Sequence, residues 1–593
     1  SIDLTTNTSN AFTGELLITT NDNDSPVDND YEAYVSIDGG TTNLIIGTST
    51  IDGDLTLLSG GTITDTNSST VTVKGDLSAT TDVTNKDITL DGLAVGCTEC
   101  TVNSSIALQT VDSGSGSATV VNATALDLAA STVGGDLTVT ATTGNVTQSG
   151  ALDIYGTTTI TASASGADIT LFNPLNNFIG AVSTTGDDVS LWTSGAMDLG
   201  AATVAGIYKA YAGTTITDSG AQRITGLSYI YTEDTESQIT LDHPDNSFGG
   251  TVDYEGGIGF TVNDTDATGF VLVGRTLLGN LVVTAAGPVT QSGAQIIGGL
   301  TSITATGKNV TLNNPLNDFR NMVEIVAADV EIVDGVKDSA SGVGIDLGAS
   351  TVSGTYEVTA TAGNIIDSGN LVIDGIATVL ASTTSDQDIT LNLNNNFKSG
   401  IRLEGRNVVV KVASSASLIL GASSGTSTIT GYLKARGTGN AVTDGGALSV
   451  AGTTNITATG QNVTFDDDES NLQGALKIKG ANVSVTHPVA INLGDSTVTG
   501  TYDIRTTTGD ITDSGYLDIT NNSTFATGAD GADIKLDGLD ASDNALTHAF
   551  TGTVTVNTVG TGGEAEVHGG STALGIIASS EVGTLKLTTT GAD

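Results

Sequence analysis

Apolar and polar residues alternate in short runs along this chain. Between Gly446 and Gly515, Leu448 and Val450 flank Ser449, Val463 and Phe465 flank Thr464, and Leu476 and Ile478 flank Lys477. Val483 and Val485 then flank Ser484, Ile491 and Leu493 flank Asn492, and Tyr502 and Ile504 flank Asp503. A period of two sends one set of side chains inward and the other into water, as in a half-buried strand. Gly, Asn and Asp punctuate the runs at intervals of about five to nine residues, which marks tight turns. No run has helical periodicity. The pattern predicts an all-β chain of short strands.

Three markers recur on a common beat. The phrase Leu-Gly-x-Ser-Thr-Val-x-Gly returns in variants whose closing glycines are Gly53, Gly135, Gly206, Gly279, Gly354, Gly431, Gly500 and Gly583. A turn of Asp/Gln-Ser-Gly type ends at Gly150, Gly220, Gly293, Gly369, Gly446 and Gly515. An Asn-rich stretch ends in an apolar residue at Phe178, Phe248, Phe319, Phe397, Leu472 and Phe550. The period is about 76 residues, and a fixed period over a whole chain means stacked units rather than one globular core. We read a parallel β-helix, a β-solenoid of about eight repeats with about three rungs each. Residues 1–593 are expected to form one continuous solenoid, with 1–45 an irregular partial repeat carrying an acidic loop and 46–593 regular. Phe178, Phe248, Phe319, Phe397, Leu472 and Phe550 are expected to stack inside as core columns. The rival architecture, an array of antiparallel sandwiches, lacks recurrent Asn-Gly hairpin turns and inter-module linkers in this sequence.

Composition narrows the class. The 593 residues carry 66 acidic and 19 basic groups, a formal charge of −47. Such a surface repels nucleic acid phosphates and anionic lipid, so neither is expected as a partner. Thr, Ser, Val and Ile dominate, which favours strands. No run of eighteen apolar residues is present, so no membrane span is expected, and no signal peptide opens the chain. The opening Ile2-Asp3-Leu4 through Phe12 matches Ile169 through Phe178, so the chain starts within a unit. That points to a segment of a longer protein or to end-to-end stacking of subunits. Cys97 and Cys100 are the two cysteines. Without a βαβ context or further thiol ligands they read as a local disulfide on a surface turn.

Phrases such as Gly134-Gly135-Asp136-Leu137-Thr138-Val139-Thr140-Ala141 and Gly452-Thr453-Thr454-Asn455-Ile456-Thr457-Ala458 resemble the repeats of filamentous-haemagglutinin-like adhesins. The resemblance runs from about Ile45 to the end. It implies a right-handed parallel β-helix, export to the cell surface, and a role in adhesion, biofilm matrix or filament formation. No secretion module or membrane-barrel translocator is recognisable.

Candidate chemistry is sparse. His243, His487, His548 and His568 lie in separate places and read as surface or turn residues, so no triad follows. Asp22, Asp24, Asp28, Asp30 and Glu32 alternate on a short loop in a manner suited to Ca²⁺, the one cofactor expected. Asp466-Asp467-Asp468-Glu469 falls where the Asn-rich turn does and reads as a solvated turn. Trp192 and the tyrosines are not expected to form an aromatic strip. The reading is a non-enzymatic, extracellular structural protein, a cell-surface filament or adhesive stalk that self-associates. The alternatives are an adhesin for glycan or protein receptors and, less favoured, a polysaccharide-processing enzyme.

Overall fold

A computed structural model describes residues 1–6, 9–21, 33–66, 68–96, 104–112, 114–339, 341–382, 386–421, 425–539, 546–570, 574–578 and 582–589. Every regular element among them is a β-strand. They form two compact units, Ser1–Gly287 and Pro288–Asp593. Each unit is a parallel β-solenoid, in which every strand pairs with strands about one turn before and after it.

In the first unit, Leu137–Ala141 stacks on Thr158–Ala162 and then on Val182–Gly186 in one sheet. Between these strands the chain crosses to the other sheet and makes a bent pair. Leu126–Leu128, Val146–Gln148 and Ile169–Leu171 form one ladder there. Ser131–Val133, Leu152–Ile154 and Asn177–Phe178 form the next. A turn therefore joins a straight strand of about five residues to two shorter strands with a bend between them. The bends are the three recurrent markers: Leu128 to Ser131, Gln148 to Leu152, and Leu171 to Asn177, stacked in that order.

The next copy of the phrase, within Met197–Val204, lies on the opposite sheet. It carries the following bends, Ile216–Asp218 with Gln222–Ile224 and Gln238–Leu241 with Ser247–Phe248, above it. Successive repeats are thus offset by three turns and about half of another, and the straight and bent sides exchange. The second unit follows the same rule. The bends at Leu347 to Ser350, at Asp367 to Leu371 and inside Ile389–Phe397 share one sheet. The strand pairs Leu418–Leu420 with Ser427–Ile429, Val442–Asp444 with Leu448–Val450, and Val463–Phe465 with Asn471–Leu472 share the other.

Inward positions hold Val, Ile, Leu and Ala, with Phe178, Phe248, Phe319, Phe397, Leu472 and Phe550 all buried. Removing each Val, Ile, Leu or Phe side chain from water contributes roughly 1.5–3 kcal/mol. Tyr208, Tyr356 and Tyr502, two residues after closing glycines, are also fully buried. At Gly206, Gly354 and Gly500 an added Cβ would collide with the side-chain oxygen of Asp188, Asp329 or Asn482 one turn below. Those oxygens accept the N–H groups of Ile207 (2.6 Å), Thr355 (2.8 Å) and Thr501 (3.0 Å). The phrase closes on glycine because this cap sits where a side chain would.

Bends interrupt the ladder and leave buried N–H groups that need acceptors. The phrase and the Asn-rich turn each supply one, and the strand one turn beyond the Asn-rich turn supplies a third. Ser131, Ser350, Ser427 and Ser496 of the phrase accept from Leu108 (3.0 Å), Ile325 (3.0 Å), Leu403 (3.1 Å) and Ile478 (3.1 Å) of the turn below. Asn176, Asn246, Asn317 and Asn395 of the Asn-rich turn accept from Leu152, Gln222, Gln295 and Leu371 at 2.8–2.9 Å. Ser470 and His548 replace that asparagine, accepting from Leu448 at 3.0 Å and Leu517 at 3.2 Å. One turn further on, Thr193, Asp264, Asp334 and His487 accept the N–H of Phe178 (3.3 Å), Phe248 (3.0 Å), Phe319 (2.9 Å) and Leu472 (2.9 Å). His487 and His548 are therefore buried backbone acceptors, not the surface or turn residues the sequence suggested. They fill slots that other repeats give to Asn, Thr or Asp.

Candidate functional site

The outward positions of most strands carry Thr, Ser, Asn or a charge. One region of the first unit departs from this. Trp192 on Val189–Thr193, Tyr211 on Tyr208–Ala212 and Tyr231 on Ser228–Thr232 occupy one register column, which Glu255 continues. The Phe172 ring lies 4.9 Å from Trp192 and 5.0 Å from Tyr211, centroid to centroid. Trp192 to Tyr211 is 5.8 Å, Tyr211 to Tyr231 is 5.0 Å and Tyr229 to Tyr231 is 6.3 Å. Along the column the planes are inclined by 42° between Trp192 and Tyr211 and by 76° between Tyr211 and Tyr231. Trp192, Tyr211 and Tyr231, together with Thr232, Glu233 and Glu255, line a cavity of about 420 Å³. Trp192 and the tyrosines thus do form a contiguous aromatic surface, contrary to the sequence reading. The turns between Trp192, Tyr211 and Tyr231 take 19 and 20 residues, so ring stacking is invisible until rung lengths are known.

Charge around this cavity is mostly negative. Glu233 and Glu255 are exposed at its edge. Asp253, in the neighbouring register column, is ion-paired with Arg275, whose Nε also donates to the Tyr254 carbonyl at 2.6 Å. Burial, then the Asp253 carboxylate, pushes the Tyr231 hydroxyl above its ordinary range. Burial, then Asp253 and Glu255, does the same to Tyr211. Both rings therefore remain neutral phenols at physiological pH.

The second unit bears the opposite chemistry at matching positions. Lys411, Arg436, Thr457 and Lys479 share one register column, and Val409, Lys434, Asn455 and Lys477 the column beside it. Lys434, Arg436 and Lys479 are exposed. Of the five basic residues only Lys477 forms an ion pair among the described residues, with Asp495 at 3.0 Å. The Lys434 ammonium lies 4.6 Å from the centre of the Tyr432 ring.

The other candidates separate clearly. Asp22, Asp24, Asp28, Asp30 and Glu32, and Cys97 with Cys100, lie outside the described residues. Among the described residues no group of three or more His, Cys, Asp or Glu side chains is placed to hold a metal. In the Asp466 to Glu469 stretch, the Asp466 and Asp467 N–H groups donate to Asp444 at 3.1 and 2.9 Å, and Glu469 N–H donates to Asp467 at 2.9 Å. That stretch is a hydrogen-bonded turn. A larger concavity of about 1010 Å³ in the first unit is lined mainly by Ala, Ser, Gly and Thr, with Asp187, Arg223, Asp245 and Asp266. Asp266 is held below the usual carboxylate range by hydrogen bonds from Thr268. The nearby raised carboxyl, Asp264, is buried and bonded to the Phe248 and Asp266 N–H groups, so it does not face this concavity. Asp334 is pushed up to about 7 by burial, but it too serves the backbone, accepting from Phe319 and Val336.

Stacked bends, capped N–H groups and an outer face that varies freely define a repetitive β-solenoid. The particular family follows from the repeats themselves. The family described as "Repeats of unknown function (DUF5649)" matches residues 33–94, 115–185, 186–255, 259–326, 335–404, 405–479 and 480–557, and the chain belongs to it. No curated protein matches the chain. No solved structure matches it either.

Proposed function

We propose that this chain is a non-enzymatic, extracellular structural protein, a cell-surface filament or adhesive stalk that self-associates. The observation that carries this reading is how the buried polar groups are used. Ser131, Asn176, Asp264, Asp334, His487, His548 and their counterparts accept backbone N–H groups at the bends, a construction role. General acid–base chemistry asks instead for two such groups facing one cleft. The resemblance to filamentous-haemagglutinin-like adhesins supports the surface location.

Self-association is favoured by Lys411, Lys434, Arg436 and Lys479, which form no ion pair among the described residues, on a chain of net charge −47. A basic strip on one molecule complements the acidic surface of another, and the attraction weakens as salt screens it. Sedimentation velocity and negative-stain microscopy across 20–500 mM salt test this (roughly a 20 Å to 4 Å screening length). Assemblies that dissolve with salt, and that the Lys411→Thr, Arg436→Thr, Lys479→Thr variant does not form, are expected. A monodisperse chain at all salt concentrations, or cleavage of an acidic polysaccharide by the purified chain, would overturn the reading. Antibody labelling of intact against permeabilised cells tests the location.

A further inference from the structure

The aromatic column of the first unit has a chemistry that construction does not need. A solenoid strand requires only a wettable, strand-forming residue outside, and Thr fills that role along most of this chain. Here three consecutive turns instead project Trp192, Tyr211 and Tyr231, with the Phe172 ring against Trp192 and Tyr211 and two carboxylates, Glu233 and Glu255, at the rim. We propose that this cavity is a binding site for an alkylammonium head group.

Three observations select that ligand class. Aromatic faces attract cations through the ring quadrupole, with Trp the strongest and Tyr next. The rings of the column are inclined by 42° and 76°, which makes walls around a volume rather than the flat platform on which a sugar ring would lie. The rim is anionic: Glu233 and Glu255 have no ion-pair partner among the described residues, and Arg275, whose charge acts on Tyr231, is already engaged by Asp253. Lys209 stands in the neighbouring register column, paired with Tyr229, and is not part of the cavity lining. A cation entering the cavity exchanges water for ring faces and gains two carboxylates. A neutral ligand of the same shape gains only the burial, and an anion meets repulsion. The site does not depend on whether the chain self-associates.

Trp192 is the only tryptophan of the chain, so its fluorescence reports on this cavity alone. The full-length protein is titrated with choline at constant ionic strength, set by NaCl. The neutral carbon isostere 3,3-dimethylbutan-1-ol and a neutral gluco-oligosaccharide are titrated in parallel. Choline is expected to give a saturable change, and the isostere to bind at least roughly tenfold more weakly, as loss of a desolvated cation–π contact predicts. Glu233→Gln with Glu255→Gln, both exposed and outside the hydrophobic core, should weaken choline roughly tenfold while leaving the circular dichroism spectrum unchanged. Tyr211→Thr, which restores the residue type found at Thr284 and Thr359, should abolish saturation. The proposal is overturned if choline gives no saturable change, if the neutral isostere matches it, or if only the oligosaccharide binds. Each of these results leaves the structural reading of the chain as it stands.

Discussion

The column Trp192–Tyr211–Tyr231–Glu255 and the column Lys411–Arg436–Thr457–Lys479 occupy corresponding places in two repeats. A third repeat places Val333, Thr359, Leu380 and Glu404 there, and a fourth Thr486, Arg505, Ala526 and Asn557. The frame beneath hardly changes. Asn176 and Asn395 accept N–H bonds at the bends below the first two columns, at 2.9 and 2.8 Å. Inside, substitution must preserve volume and satisfy a defined N–H group, so few residues fit. Outside, side chains are partly in water and touch mainly the turns above and below, so they vary at small cost. Function in this chain is therefore to be sought in what the outer columns carry.

The frame should break the comparison most strongly. Asn246→Ala, between the turns that carry the aromatic column, removes the acceptor for Gln222 N–H and the donors to Asp218 and the Leu241 carbonyl. A loss of roughly 3 kcal/mol is expected, read from the urea unfolding midpoint of that region. Asn395→Ala should cost a similar amount near the basic column. A large difference between the two would show that the frame is not shared.

A pH effect of roughly 2 kcal/mol is expected next, from Asp334 below the Val333 column. Burial raises its carboxyl from 3.8 to about 7. Between these values the folded chain holds a proton that the unfolded chain has lost. The stabilisation is therefore complete below about pH 4 and fades as pH rises through 7. Unfolding midpoints at pH 5 and 8 should differ in that direction, and Asp334→Thr, which installs the residue found at Thr193, should flatten the difference.

His548 offers a smaller, sharper test. Its Nδ1 accepts from Leu517 N–H, and its Nε2 lies 3.3 Å from Asp513 in a fully buried pair. His548→Asn restores the residue of four other repeats and should cost less than about 1 kcal/mol, whereas His548→Ala should cost about 2 kcal/mol. Equal losses in thermal unfolding would mean that the acceptor role is unimportant. The least effect on stability belongs to the outer columns. Lys411→Thr, Arg436→Thr and Lys479→Thr, and separately Tyr231→Thr, should each stay within about 0.5–1 kcal/mol of the parent in chemical unfolding.

Much of the fold was legible in the sequence. Alternation such as Val483-Ser484-Val485 marked strands, and the Ser-Thr-Val phrase, the Ser-Gly turn and the Asn-rich turn marked the repeat. Their physical meaning was not legible. Nothing in the spacing said that the three markers are successive bends of one stack, whose buried N–H groups are satisfied by side chains of neighbouring turns. The buried histidines were missed for the same reason, since His548 stands for asparagine only when Ser470 and Asn395 are seen in the same slot. The aromatic column was missed because its members are separated by nearly a full turn of chain.

By itself, the order of residues determined the local geometry: short strands, tight turns, a periodic stack and an apolar interior. These follow from side-chain alternation and from turn chemistry, which act over a few residues. Tertiary structure alone decided which distant positions become neighbours, because that depends on the length of every turn between them. The half-turn offset that alternates the bends between sheets, the caps on the bends and the cavity at Trp192 all come from that register.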